Sequence, residues 1–349
     1  MRSFSPLALL LLLAACAQEP QILRYDIGAE AARVWPEPPE IPRYRYAGQL
    51  TGEANFVAAE PHEPSAGGRF LRWLVGLGEH KIDPLVLLRP QGGIVDPSRQ
   101  RTYVADVGRQ AIFVFDGLQG RLEIWDQAEP HRGFRSPVGV ALAEAGGILV
   151  TDSELARVFH LDSQGNPLGS FGAGVLTRPT GIARDAGTQR IYVADTAAHD
   201  IKVFDNQGNL LQHIGGPGVE PGRFNAPTHL AFAGGRLYVS DTLNARVQVL
   251  DAEGQPLREI GKRGLYVGNL TRPKGVTVDT DGNIYVVESY YDHLLVFDGH
   301  GELLLPIGGT GKAIGQFYLP AGVWSDAQDR IYVADMFNGR VIILQYLGA

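Results

Sequence analysis

The sequence predicts an all-β protein, a six-bladed β-propeller closed into a ring by a strand from its own N-terminal side. Three observations predict it. The first is a short motif that occurs six times: Tyr103-Val104-Ala105-Asp106, Leu149-Val150-Thr151-Asp152, Tyr192-Val193-Ala194-Asp195, Tyr238-Val239-Ser240-Asp241, Tyr285-Val286-Val287-Glu288 and Tyr332-Val333-Ala334-Asp335. Its acid recurs at intervals of 46, 43, 46, 47 and 47 residues. A period of this length marks a repeat architecture in which each unit is one supersecondary element. The second is a further apolar run that ends ten positions after the acid in all six units, as in Phe113 to Asp116 or Val296 to Asp298. The third is that the sixth unit is short of a strand: after Ile342 to Gln345 only four residues remain. A ring left so would present an unpaired edge. Residues 44–50, Tyr-Arg-Tyr-Ala-Gly-Gln-Leu, precede the first blade and read as the missing outer strand.

Within each unit the elements follow in a fixed order. An inner strand opens on Pro-x-Gly, as at Pro137 to Gly139, Pro179 to Gly181, Pro273 to Gly275 and Pro320 to Gly322. The Tyr-Val-Ala-Asp strand is second and the Val-Phe-Asp strand third. An Asp-x-x-Gly turn such as Asp205 to Gly208 leads into a short fourth strand, Leu210 to Ile214 in the third unit. Asp at the first turn position bonds the turn backbone and Gly accepts positive φ there. Four antiparallel strands in about 45 residues make a propeller blade.

The N-terminal residues have a different character. Met1-Arg2 gives a positive head, and Pro6 to Leu13 is an apolar run too short to span a bilayer. Leu13-Ala14-Ala15-Cys16 resembles a bacterial lipobox. Residues 1–15 are therefore expected to be a signal peptide. Cys16 is expected to be the lipidated residue, anchoring the chain to a membrane stably through several acyl chains. It is the one cysteine in the sequence, so no internal disulfide can form. Ala17, where Asp would signal inner-membrane retention, implies an outer-membrane protein facing the periplasm. Residues 16–43 read as a tether, with four prolines in Trp35-Pro36-Glu37-Pro38-Pro39-Glu40-Ile41-Pro42 favouring an extended spacer. Residues 44–349 are then the propeller. Its insert, 51–87, is expected to hold a short helix, because Phe70, Trp73, Leu74 and Leu77 fall on one helical stripe.

Composition narrows the function. The 349 residues carry 44 Gly, 22 Pro and a formal charge of −7, with no basic block. Such a chain is a poor nucleic-acid ligand. No Gly-x-Ser-x-Gly nucleophile motif and no phosphate-binding glycine loop occurs.

The loop between the second and third strands carries a more specific signal. Asp241-Thr242-Leu243-Asn244-Ala245-Arg246-Val247 and Asp335-Met336-Phe337-Asn338-Gly339-Arg340-Val341 resemble the NHL repeat, and Asp195 to Ile201 keeps its His at His199. The resemblance covers about residues 88–347, and the proline-rich segment and Trp-containing insert are similar to those of bacterial NHL lipoproteins. It implies a propeller that binds protein, peptide or RNA across one face. A minority of the family implies an alternative: a metal-dependent lyase or lactonase using the central channel.

The residues weigh these. Strand order places His131, His199, His229 and His293 on one face, with His229 alone at an inner-strand entrance, where four other blades carry Gly. One channel histidine is short of a metal site, so no cofactor is expected. The six recurrent acids obey the repeat, which is what a folding role demands. Residues that break the repeat point to function: Tyr290, Tyr291 and His293 in the fifth unit, Lys274 after its Pro, His229 in the fourth, and Phe337 in the sixth. With His199 and Asn244 they define the expected binding face for a protein, peptide or glycan, since aromatic and basic residues dominate binding hot spots.

Overall fold

The computed structural model describes residues 20–26, 33–59 and 84–348. Cys16 and the stripe from Phe70 to Leu77 lie outside the described residues. Five four-stranded antiparallel sheets and one five-stranded sheet form the six blades. Blade 1 runs Pro90–Asp96, Arg101–Asp106, Ala111–Asp116 and Arg121–Trp125. Blades 2 to 5 start from inner strands Pro137–Leu142, Pro179–Asp185, Pro227–Ala233 and Pro273–Val278. Blade 6 contains Val323–Ser325, Arg330–Asp335 and Arg340–Tyr346 from the C-terminal side.

The ring closes as expected. Tyr44–Leu50 pairs antiparallel with Arg340–Tyr346, with Val341 opposite Leu50 and Tyr346 opposite Tyr44. Tyr44, Tyr46 and Leu50 are buried, and the first two join the core of blades 5 and 6. The Tyr44 and Tyr285 hydroxyls meet at 3.1 Å, tying the closing strand to blade 5.

The segment expected to be a spacer is instead partly built into the fold. Val34–Trp35 adds a fifth strand to blade 6 beyond Tyr44–Leu50, and Gln21–Leu23 pairs with Phe56–Ala58. Trp35 is buried in the same core as Tyr44 and Phe317. Its indole offers more apolar area than a free tether would leave in water.

The middle strands explain why the repeat motif is a continuous apolar run. Every residue of Arg101–Asp106 and Ala111–Asp116 is buried. Blades pack face to face, so both sides of these strands meet neighbours, and alternation of polar and apolar residues is lost. The inner strands carry glycine for a different reason. A Cβ on Gly181 would lie 2.7 Å from the carbonyl oxygen of Thr228 on the next blade, and one on Gly322 would lie 2.1 Å from that of Gln91. Glycine marks the level at which neighbouring inner strands come closest.

Candidate binding face and channel mouth

The chain reverses direction at each strand, so the entry to every inner strand and the loop between strands two and three share one face. The recurrent acids hold that face together. Asp195 accepts the Thr177 and Arg178 amides at 2.8 and 2.7 Å, and Glu288 accepts those of Thr271 and Arg272 at 2.7 and 3.0 Å. Asp106, Asp152, Asp241 and Asp335 do the same in their own blades. Each acid therefore staples the loop some seventeen residues upstream to the end of its second strand. The local bonds expected from the sequence exist as well, for example from the Leu155 amide to Asp152 at 3.0 Å. In blades 4 and 6 the Arg of the repeat completes the clamp: Arg246 donates to Asp241 at 2.9 Å and Arg340 to Asp335 at 2.8 Å.

Two of the residues expected to bind a partner are taken up by this scaffold. His199 adopts a left-handed backbone, and its Nδ1 accepts the Ala226 amide at 3.1 Å, joining blade 3 to the entrance of blade 4. Asn244 donates to the Gly218 carbonyl and to Asp241. The Nδ1 of His199 and both amide protons of Asn244 are thereby used inside the fold.

The aromatic residues behave differently. Tyr290 is 57% exposed and packs edge to face on Tyr291 at 4.9 Å between ring centroids. Phe337 is 47% exposed and meets Tyr318 at 5.6 Å, with the Arg89 guanidinium over its ring at 5.8 Å. Leu265, Tyr266 and Val267, in the connection from blade 4 to blade 5, are exposed too, as is Leu243. Together they form a crescent over blades 4 to 6. The sequence reading missed Tyr318, Arg89 and the Leu265 to Val267 loop, because connections between blades vary too much for departures from the repeat to stand out.

At the centre of the ring the six inner strands enclose a cavity of about 360 Å³. Its wall is mainly apolar, with Ile94, Leu142, Phe232, Val278 and Trp324 among its residues. His229 lines it near the closest approach of the strands. The His229 Nε2 is shut off from solvent and has no hydrogen-bond partner. Burial, and then the nearby positive charge of Lys274, push its pKa from the usual 6.5 down to about 3. Lys274 is itself held below its ordinary value, first by burial and then by the charges of Arg272 and Arg178. Four groups from blades 3, 4 and 5 therefore gather at the mouth. Among the described residues, no group of three or more His, Cys, Asp or Glu is placed to share a metal ion.

The His229 shift has a consequence for stability. The unfolded chain binds a proton there below about pH 6.5, whereas the folded chain resists it until about pH 3. Stability is then lost as pH falls through that window and is complete above it. Thermal melts at pH 7 and pH 4 should show a smaller acid-induced drop for His229→Gly than for the parent. Parallel drops would mean that His229 is not held neutral.

Comparison with known proteins agrees with this architecture. A family model for a β-propeller repeat matches residues 258–287. No curated protein matches the sequence. Among solved structures, a streptogramin B lyase aligns with a TM-score of 0.56 at 13% identity, over 74% of this chain and 94% of the lyase. Virginiamycin B lyase from Staphylococcus aureus aligns at 0.55 and 14% identity, over 74% of this chain and 95% of that one. An auxiliary nutrient binding protein from Bacteroides thetaiotaomicron aligns at 0.60 and 12% identity, over 75% and 70%. Identities this low speak for the fold alone, since one fold hosts many functions. On its repeats, its closed ring and these likenesses, the chain is a six-bladed β-propeller.

Proposed function

We propose that this chain is a cell-envelope lipoprotein, anchored through Cys16, whose propeller is a binding module for a protein, peptide or glycan partner. The observation that carries the reading is the exposed crescent of Tyr266, Tyr290, Tyr318 and Phe337, with Arg89, on one face of a rigid ring. Large aromatics left in water on a stapled surface are the composition of a hot spot. The auxiliary nutrient binding protein from Bacteroides thetaiotaomicron, a binding protein on the same fold, is in keeping with this role. The lyase neighbours are enzymes on the same fold, and an enzyme that uses the central channel is the second reading. The channel contributes a single histidine to such chemistry among the described residues.

Photo-cross-linking in cells tests the proposal. A benzophenone amino acid at Tyr290 inserts into C–H bonds of protein or sugar, and Gln207, exposed on the opposite face, is the control. A defined adduct from position 290 and none from 207 is expected, and its mass distinguishes a polypeptide from a glycan. Equal labelling at both positions, or none, would remove this face as the binding surface.

A further inference from the structure

The channel mouth contains an unusual set of unpaired groups. Lys274 follows Pro273 at the start of the blade 5 inner strand, where blades 3 and 4 carry Thr180 and Thr228. Arg178 and Arg272 stand before the inner-strand prolines of blades 3 and 5, both exposed, on either side of blade 4. Among the described residues, none of these three cations has a carboxylate partner. All the nearby acids are committed: Asp195 to two amides and Lys202, Asp241 to an amide and Arg246, Glu288 to three amides. A part-buried lysine flanked by two cations and no carboxylate is a place where an anion would be favoured.

The histidine beside them adds a second requirement, which follows from a chain of hydroxyls. The Thr242 hydroxyl donates to the Pro273 carbonyl at 2.8 Å. It can then only accept from the Thr228 hydroxyl, at 2.7 Å. Thr228 in turn can only accept from His229 Nδ1, at 3.1 Å. Neutral His229 therefore carries its proton on Nδ1. The orphaned Nε2 of this channel-lining residue is a lone pair in want of a donor. An anion alone would satisfy the cations and leave this lone pair facing negative charge.

We propose that the channel mouth is a binding site for an oxyanion that carries an O–H beside its charge, the anionic oxygen held by Lys274, Arg178 and Arg272 and the O–H donating to His229 Nε2. Hydroxy acids and uronic acid sugars have this chemistry, and so does a singly protonated phosphate. The site deepens the reading of this face as a binding surface and rests on it, but the two fail separately. Loss of the oxyanion site leaves the Tyr290 cross-link untouched.

Titration calorimetry of the full chain in detergent tests it, with glucuronate and inorganic phosphate as probes and with acetate and glucose as controls. Saturable binding of glucuronate or phosphate is expected, and the stronger of the two identifies the source of the oxyanion. Acetate should bind at least about tenfold more weakly, and glucose not measurably, because a charge-assisted bond and a buried acceptor are at stake. Lys274→Thr installs the residue of blades 3 and 4 and should weaken the better probe by about tenfold to a hundredfold. His229→Gly installs the residue of the other inner strands and should abolish the preference over acetate while leaving acetate unchanged. Neither probe binding, equal binding of acetate and glucuronate, or full affinity in Lys274→Thr would each overturn the site. Both substitutions copy residues the fold already accepts at equivalent positions, and melting curves check that the variants are folded.

Discussion

Deleting Tyr44–Leu50 is expected to abolish cooperative folding at physiological temperature. The strand buries Tyr44, Tyr46 and Leu50 and covers the edge of Arg340–Tyr346, whose Val341, Ile342, Ile343 and Leu344 are all fully buried. Burial of three large side chains contributes on the order of 5–9 kcal/mol, and domains are stable by only about 5–15 kcal/mol. The backbone partners of an entire strand are lost as well, and the exposed edge would recruit other chains. A graded version keeps the ring closed: Leu50→Ala should cost about 2–5 kcal/mol, the usual range for a fully buried leucine. Denaturant titration followed by circular dichroism measures both. A deletion variant melting within a few degrees of the parent would mean that blade 6 closes without this strand.

The second large effect is expected at the stapling acids. Asp241 is fully buried and accepts the Asn225 amide, Asn244, Arg246 and Gln248. Asp241→Ala takes an acceptor from four donors, one of them the 9% exposed guanidinium of Arg246, which keeps Glu259 at 2.6 Å. The loss should be about 3 kcal/mol or more, because each buried donor that loses its acceptor costs about 1–3 kcal/mol. The double variant Asp241→Ala, Arg246→Met should recover part of that loss, since the guanidinium that lost its buried partner goes with it. The same experiment addresses the nature of the acid ring. If these carboxylates clamp loops, millimolar calcium leaves the melting temperature unchanged; a rise of several degrees with calcium would turn the ring into a cation site instead.

The two variants probe parts of the molecule that differ in how readable they were. The blades were legible because each strand is a local apolar pattern and each turn a local choice of Asp and Gly, and six copies make such a pattern unmistakable. The closing strand was legible from an imbalance: a sixth unit short of a strand, and a strand without a unit. The acids were legible only in half. Their bonds to the next turn could be anticipated, whereas the bonds from Asp195 to Thr177 and Arg178 join residues brought together by the blade itself.

The candidate site divides along the same line. His229, Lys274, Tyr290, Tyr291 and Phe337 stood out because they depart from the repeat; the side chains of Lys274, Tyr290, Tyr291 and Phe337 take no part in the clamps that hold the loops, and His229 is tied by Nδ1 to Thr228 with its Nε2 left over. His199 and Asn244 obey or nearly obey the repeat, and the fold uses them as it uses the acids. Trp35 read as part of an extended proline segment, yet the groove beside Tyr44 that receives it is formed by residues almost three hundred positions away.

By itself, then, the amino-acid sequence determined the number of blades, the order of strands within them and the means of closure, because period and alternation are local quantities set by backbone geometry. The tertiary structure alone decided which side chains were free to bind. The orphaned Nε2 of His229, the uncompensated charge of Lys274 and the crescent from Tyr266 to Phe337 are differences between neighbours in space. Each depends on which donors, acceptors and counter-ions the ring brings within reach.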